Sequence, residues 1–453
     1  MVRDLTSGTP WRHITALAVP LLLGNLFQAS YNLIDTMIVG RYAGPLALAG
    51  VGVASPVFNL INALLMGLSI GSSIVVSQLF GRKRTDELPT AVSTVLIASL
   101  IMSVLLTGIG QALTVPLLRA MKTPAEGMAD AEAYLRVILL GLACNVFYNQ
   151  LTGMLRGLGN TRAPLYILFF SCCINGGLDL LFVKSFGMGA SGAALATIIA
   201  EGLSAAMTAL YIRLAVPQLR LRGGRGFDRE MFFTLLRVGF PMGLQQASIS
   251  LGHVLLQSIV NPFGTALIDG YAAAAKVDMF AVMPIISVSS AMSTFAAQNS
   301  GAGQYDRVKH GCRVGCAIIL VICAVLTLMV TPLRELWMGL FVSRKDYPVM
   351  ADEIVRLGSG MLAITPLFYW ILGLVHGINN TMAGAGDTVY SMISMIGMML
   401  LRVALAWALI HIGKMDETGI WLSFPLSWAA ALAVTVVYYR TGRWKKRSIT
   451  AKA

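Results

Sequence analysis

Long apolar runs follow one another along the whole chain, and short polar or basic segments separate them. A helix needs about 20 apolar residues to cross the hydrocarbon core of a bilayer. Twelve stretches of about that length lie near 14–39, 47–76, 90–113, 133–155, 163–184, 190–213, 233–260, 269–296, 311–331, 354–378, 387–411 and 417–439. Pro and Gly occur inside several of them. A membrane helix tolerates this, because neighbouring side chains re-satisfy the freed backbone groups. The pattern predicts an all-α integral membrane protein of twelve transmembrane helices. Residues 1–14 are polar and basic with no small-residue cleavage site after them, so no removed signal peptide is expected.

The polar residues that interrupt these runs are ordered. Asp35 lies in "YNLIDTMIVG" (31–40), inside the first run. Asn25, Gln28, Tyr31 or Asn32, and Asp35 recur at intervals of three and four, which makes one stripe on a helix. A mid-span carboxylate left facing lipid costs about 2.5–3.5 kcal/mol. The stripe is therefore expected to face the bundle interior or a water-filled cavity. The plainer alternative is a helix–helix hydrogen-bonding seam, for which amides would suffice. A second carboxylate stands in "INGGLDLLFV" (174–183), where Asn175 and Asp179 share a helix face. Thr197 follows in the next span. At about 1.5 Å per residue, Asp35, Asp179 and Thr197 fall in one layer near the outer ends of their helices. Such hard oxygens can bind Na⁺ or hold one proton between two carboxylates. The second half carries Lys276 and Asp278, two apart and so on different helix faces, and Arg402. Each is a candidate for a salt bridge to another span. His253 reads as a helix–helix contact.

Composition agrees with the pattern. The chain is 56% hydrophobic and 12% charged, whereas soluble domains are about 45–50% apolar and about 25% charged. The net charge of +13 would suggest nucleic acid in a soluble protein. Here it reads as Lys/Arg loops beside an anionic cytoplasmic leaflet, so the expected partner is the bilayer and not nucleic acid. With the N-terminus inside, 22 of the 34 Lys and Arg fall on inner segments, ten on outer ones, and two, Lys276 and Arg402, within spans. The largest inner clusters are Arg82–Arg84, the run from Arg213 to Arg237, and the tail from Arg440 to Lys452. This alternation supports twelve spans with both termini cytoplasmic. The six cysteines form no C-x-x-C pair and read as packing thiols.

The chain also repeats itself. Ala18-Val19-Pro20 matches Gly239-Phe240-Pro241, "SQLFG" (77–81) matches "AQNSG" (297–301), "RGLGNT" (156–161) matches "AGAGDT" (383–388), and "ASGAA" (190–194) matches "ETGIW" (417–421). Arg402 occupies the repeat position of Asn175. The reading is an N-terminal six-helix lobe over 1–214, a basic cytoplasmic linker over 215–232, and a C-terminal six-helix lobe over 233–453 with a basic tail. An even number of helices per half gives a parallel repeat about an axis along the membrane normal, an architecture of transporters. No G-x-x-x-x-G-K-[ST] motif is present, so the expected energy source is an ion gradient. One charge crossing about 100 mV is worth roughly 2.3 kcal/mol.

These residues carry a family resemblance. The chain resembles the MATE (multidrug and toxic compound extrusion) transporters over nearly its whole length, through "YNLIDTMIVGR", "LRGLGNTRAPLY", "INGGLDLLFV", "GASGAALAT", "AAQNSGAG" and "MAGAGDT" in order. It is most similar to the DinF-like bacterial branch: Asp35, Asn175, Asp179 and Thr197 match that branch's N-lobe cation site, and Pro20 matches the proline at which span one bends. The resemblance implies cation-coupled export of amphipathic, mainly cationic compounds by alternating access. It implies a monomer in the bacterial cytoplasmic membrane, not an enzyme, with no cofactor beyond H⁺ or Na⁺ as coupling ion. Two carboxylates in one low-dielectric layer favour H⁺, with Na⁺ at the same four residues as the alternative. Gln28, Tyr31 and Asn32 are candidates for the substrate cavity, and Lys276, Asp278 and Arg402 for polar groups of the C-lobe. NorM-type members carry acidic residues in spans seven and ten. Here 240–260 and 362–377 contain neither Asp nor Glu, so a C-lobe Na⁺ site of that kind is not expected.

Three rival readings are weaker. "GAGD" (384–387) with "YD" (305–306) matches intramembrane aspartyl proteases, but both Asp residues fall at helix ends beside Gly and read as turn residues. "GRKRTDE" (81–87) matches the major-facilitator loop pattern only in part. Lipid-linked oligosaccharide flippases share the superfamily, but Asp35 with Asp179 favours cationic cargo.

Overall fold

The computed structural model describes residues 2–121, 123, 125–221, 226–343 and 347–448. Lys122, Arg222, Arg225, Arg344–Asp346 and Lys452, which enter the charge pattern, lie outside the described residues. Every regular element among the described residues is helical. In the N-terminal half, α1 is Pro10–Ile38, α2 is Pro45–Gly81 and α3 is Leu88–Ala120. Next, α4 comes in two pieces, Ala125–Leu140 and Leu142–Gly157, followed by α5 (Arg162–Asp179) and α6 (Gly189–Ala215). In the C-terminal half, α7 is Arg229–Val260, α8 is Thr265–Gly301 and α9 is Tyr305–Val330. After these, α10 comes in two pieces, Ala351–Ile364 and Tyr369–Gly384, followed by α11 (Thr388–His411) and α12 (Thr418–Thr441). A short helix, Arg334–Gly339, is an element the apolar pattern does not predict.

Twelve spans are expected, yet by length and apolarity alone ten helices among the described residues qualify, or eleven with the pieces of α4, bent by 47°, taken as one. The difference is α7. It is 32 residues long, but Gln245, Gln246, His253 and Gln257 dilute its apolar content. Large aliphatic side chains elsewhere point outward. Val104 on α3 and Val321 and Leu328 on α9 are 61%, 67% and 74% exposed. In water these surfaces would be a liability; against lipid they are the required face.

The repeat extends to the backbone. Gly44 (φ 90°) before α2 and Gly264 (φ 94°) before α8 share a positive φ, as do Gly159 (φ 74°) and Gly386 (φ 106°). Only glycine enters this region without strain. At the next positions, Asn160 Oδ1 accepts from the Ala163 N–H at 3.2 Å, and Asp387 Oδ1 accepts from the Tyr390 N–H at 3.4 Å. Each residue also bonds a tyrosine at matched positions: Asn160 Nδ2 donates to the Tyr211 hydroxyl at 2.9 Å, and the Tyr438 hydroxyl donates to Asp387 Oδ2 at 2.6 Å. Asp387 is thus a helix cap, which satisfies an orphan N–H of α11 and leaves the protease reading without its acid.

Packing divides the chain into two compact units. The first comprises Met1–Asp4 and Leu23–Gly243, the second Leu5–Leu22 and Leu244–Ala453. The sequence places the division at the linker 215–232; here the boundaries instead fall inside α1 and α7, close to Pro20 and Pro241. In the second unit, Leu5, Ile14 and Leu17 join a core with Phe295, Tyr369, Trp421 and Trp428. The Leu5 N–H donates to Gln298 Oε1 at 3.0 Å, and Asn299 Nδ2 donates to the Leu5 carbonyl at 3.2 Å. In the first unit, α2 and the start of α7 meet at glycines. A Cβ added to Gly67 would stand 1.9 Å from the Gly243 nitrogen, and one added to Gly71 would stand 2.5 Å from the Gly239 Cα. Paired G-x-x-x-G faces allow this backbone-to-backbone approach.

Candidate functional site

The site lies in the first unit. The second half of α1 carries Tyr31 and Asp35 and runs into a π-helical turn, Val39–Ala43. In the same way α5 carries Asn175 and Asp179 and runs into a π-helical turn, Leu180–Ser185. Val39 and Val183 anchor the two turns in one small core with Ala190 and Ala193 of α6. This shared core brings the two carboxylates together, and π turns of this sort often mark functional positions.

The Asp35 and Asp179 side chains stand within electrostatic reach of each other. Asp179 is fully buried and Asn175 is 1% exposed. Asp35 Oδ1, both carboxylate oxygens of Asp179, and Asn175 Nδ2 are buried with no hydrogen-bond partner among the described residues. Each unmet buried polar atom costs about 1–3 kcal/mol. A proton on one carboxyl would turn it into a donor for the other, and a monovalent cation between the oxygens would serve them both. The donor set therefore fits either ion. Thr197 joins from α6: its Oγ1 and the Tyr31 hydroxyl are 3.1 Å apart.

Of the residues expected from the sequence, Asp35, Asn175, Asp179, Thr197 and Tyr31 come together here. Gln28 and Asn32 are exposed and stand outside this cluster. Pro20 is buried, in the part of α1 that packs with the second unit. Three residues of the cluster are absent from the expectations. Tyr134 on α4 lies within electrostatic reach of Asp35, Asp179 and Glu201. Glu201 on α6 accepts a 2.7 Å hydrogen bond from Asn145 Nδ2 of α4. The available signal was the four-residue spacing of Thr197 and Glu201 in "TIIAE", which sets both on one helix face.

The second unit holds the other candidates. Salt bridges between spans are the expectation for Lys276, Asp278 and Arg402, and the contacts differ. The Tyr369 hydroxyl donates to Asp278 Oδ1 at 2.6 Å, from α10 to α8. Arg402 is buried and its guanidinium lies over the ring of Phe424, 4.4 Å from the centroid, with the Trp428 ring at 5.8 Å. Lys276 is exposed. Asp278 lies within electrostatic reach of Arg402, but what stands against the guanidinium are aromatic faces, whose ring quadrupole attracts the cation.

Comparison with known proteins gives a consistent set of relatives. The MatE family profile matches residues 20–181 and 241–408, one segment in each half of the chain. A Bacillus subtilis protein named "Probable multidrug resistance protein YoeA" is 30% identical over 97% of this chain and 95% of its own length. Among solved structures, one described as MATE in complex with MaL6 superposes with a TM-score of 0.91, at 25% identity and 98% coverage of both chains. Structures described as MATE in the bent and the straight conformation each superpose with a TM-score of 0.89 at 25% identity, covering 99% and 98% of this chain and 98% of their own chains.

Proposed function

The chain belongs to the MatE family of membrane transporters, which are not enzymes, and from that premise we propose that it exports amphipathic organic cations in exchange for protons. The observation that carries the proposal is the Asp35–Asp179 pair, whose buried oxygens lack partners beside Asn175. Two ionised carboxylates within electrostatic reach in a buried layer repel, so a single proton shared by the pair is the lower-energy arrangement. An entering organic cation replaces that proton's charge, and the proton leaves. Transport of the cation one way and the proton the other follows if only one of them is held at a time.

Pro20 supplies the moving part. Proline removes one backbone hydrogen bond from α1 and weakens its ladder there, so the helix bends differently as the pair changes charge. The bent and straight conformations described for a similar protein support this reading. Multidrug efflux is supported by the names of the relatives. The charge alternation supports both termini on the cytoplasmic side, and the bacterial relatives support a bacterial membrane. The oxygens of Asp35, Asn175, Asp179 and Thr197 also suit Na⁺, which is the second reading. Lys276, Asp278 and Arg402 are read as polar groups of the C-lobe, with Asp278 the next candidate for coupling if substitution of the aspartate pair leaves proton release unaltered.

The test is proton release from detergent-purified protein on addition of ethidium or a fluoroquinolone, with and without Na⁺. Release that needs no Na⁺ supports proton exchange. Cation uptake into vesicles under a Na⁺ gradient, with no proton movement, would replace it with the Na⁺ reading. No efflux across a broad cation panel, together with rescue of a lipid-linked glycan defect, would favour a flippase.

A further inference from the structure

The polar cluster does not end at the aspartate pair. Glu201 stands one turn beyond Thr197 on α6, about 6 Å further along the axis. It is the thirteenth residue of a 27-residue helix, so it lies near mid-span. Asn145 Nδ2 donates to Glu201 Oε1 at 2.7 Å, and Asn149 Nδ2 donates to Asn145 Oδ1 at 3.1 Å. Tyr31, whose hydroxyl meets Thr197, is within electrostatic reach of Glu201, Asp35 and Asp179 together. Tyr134 on α4 is within electrostatic reach of the same three carboxyls. The other titratable groups within reach of Glu201 are Cys144 and Tyr148, both on α4. Among the described residues no Lys, Arg or His pairs with Glu201.

A structural seam does not explain this acid. Glutamine at 201 would accept the Asn145 bond equally well and would carry no charge into an apolar span. The carboxyl adds the ability to take up and release a proton, beside a pair whose oxygens are buried and unpartnered.

We propose that Glu201 is a second proton-binding carboxylate of the transport cycle, which exchanges its proton with the Asp35–Asp179 pair. This rests on the proton-exchange reading given above. In the transfer, an O–H bond on one aspartic acid breaks and an O–H bond on Glu201 forms. The summed charge of the three carboxyls is unchanged, so the step moves a proton between the outer layer and mid-span with no counterion. An organic cation at the aspartate pair then drives the proton to Glu201, from which it leaves the protein.

The experiment compares wild type, Glu201→Gln, Glu201→Asp and Asp35→Asn in reconstituted vesicles with ethidium as the probe. Two rates are read: uptake driven by an imposed pH gradient, and ethidium exchange at equal pH, which needs no net proton movement. Glu201→Gln is expected to lose the gradient-driven rate and keep exchange, and Glu201→Asp to restore gradient-driven uptake with a shifted pH profile. Asp35→Asn is expected to lose the gradient-driven rate as well. If Glu201→Gln keeps gradient-driven uptake, the role of Glu201 is overturned while proton exchange at the pair stands. Loss of both rates in Glu201→Gln, unrestored by Glu201→Asp, makes the residue structural and also overturns it. If Asp35→Asn keeps gradient-driven uptake, the reading on which the proposal rests fails first.

Discussion

Alanine at Gly67 tests the crossing that holds the first half of α7 against α2. Its Cβ would stand 1.9 Å from the Gly243 nitrogen, 2.1 Å from the Gly243 Cα and 2.6 Å from the Met242 carbonyl carbon. Ordinary contact begins at 3.4 Å. The shortfall at the nearest atom is 3.4 − 1.9 = 1.5 Å. All three atoms belong to the backbone, so no rotamer change relieves the clash and the helices must part. Overpacking of this kind costs about 1–3 kcal/mol. Against it stands the gain of about 0.5–1 kcal/mol from replacing a helical glycine with alanine. The net expectation is a loss of up to about 2.5 kcal/mol, with Gly71 pulled out of contact by the same movement. Gly52 on the same helix is the control, because a Cβ there meets nothing within 4 Å. Thermal unfolding in detergent, followed by intrinsic fluorescence, should show Gly52→Ala at or slightly above wild type and Gly67→Ala below it. If Gly67→Ala melts with Gly52→Ala and transports normally, the two helices do not meet backbone to backbone and the crossing described here is wrong.

Asp35→Asn keeps size and hydrogen bonding but cannot release a proton; it should insert and purify normally, and resistance of a pump-deficient host to ethidium should be lost. Tyr369→Phe removes the donor that meets Asp278 at 2.6 Å, so a melting-point loss equivalent to about 1–3 kcal/mol is expected, and an unchanged melt would show the bond contributes nothing. Arg402→Lys exchanges a planar guanidinium, stacked 4.4 Å from the Phe424 centroid, for a compact ammonium; stability should fall by about 0.5–2 kcal/mol, and fluorescence from Trp428 should report the lost contact.

The twelve long helices are legible in the sequence because a bilayer imposes a length on every apolar run, whatever the run packs against. The same solvent makes Asp35 and Asp179 conspicuous, since a carboxylate in hydrocarbon needs a reason. Local backbone chemistry is legible for a related cause: Gly44 and Gly264, and the caps Asn160 and Asp387, act within a few residues of themselves. Helical period likewise set Asn175 with Asp179 and Thr197 with Glu201 on shared faces. It could not say what each face meets. The partners of Tyr31, Glu201, Asp278 and Gly67 are Thr197, Asn145, Tyr369 and Gly243. The three hydrogen-bonded pairs are separated by 166, 56 and 91 residues. Nor did the chain show that α1 and α7 each divide between two compact units, because a continuous helix looks the same wherever its two halves pack. Period selects a face within one helix. Which faces meet is a choice among many apolar surfaces of similar hydrophobicity. In lipid that choice turns on close fit and on polar atoms satisfied across helices, and both exist only once the helices have packed.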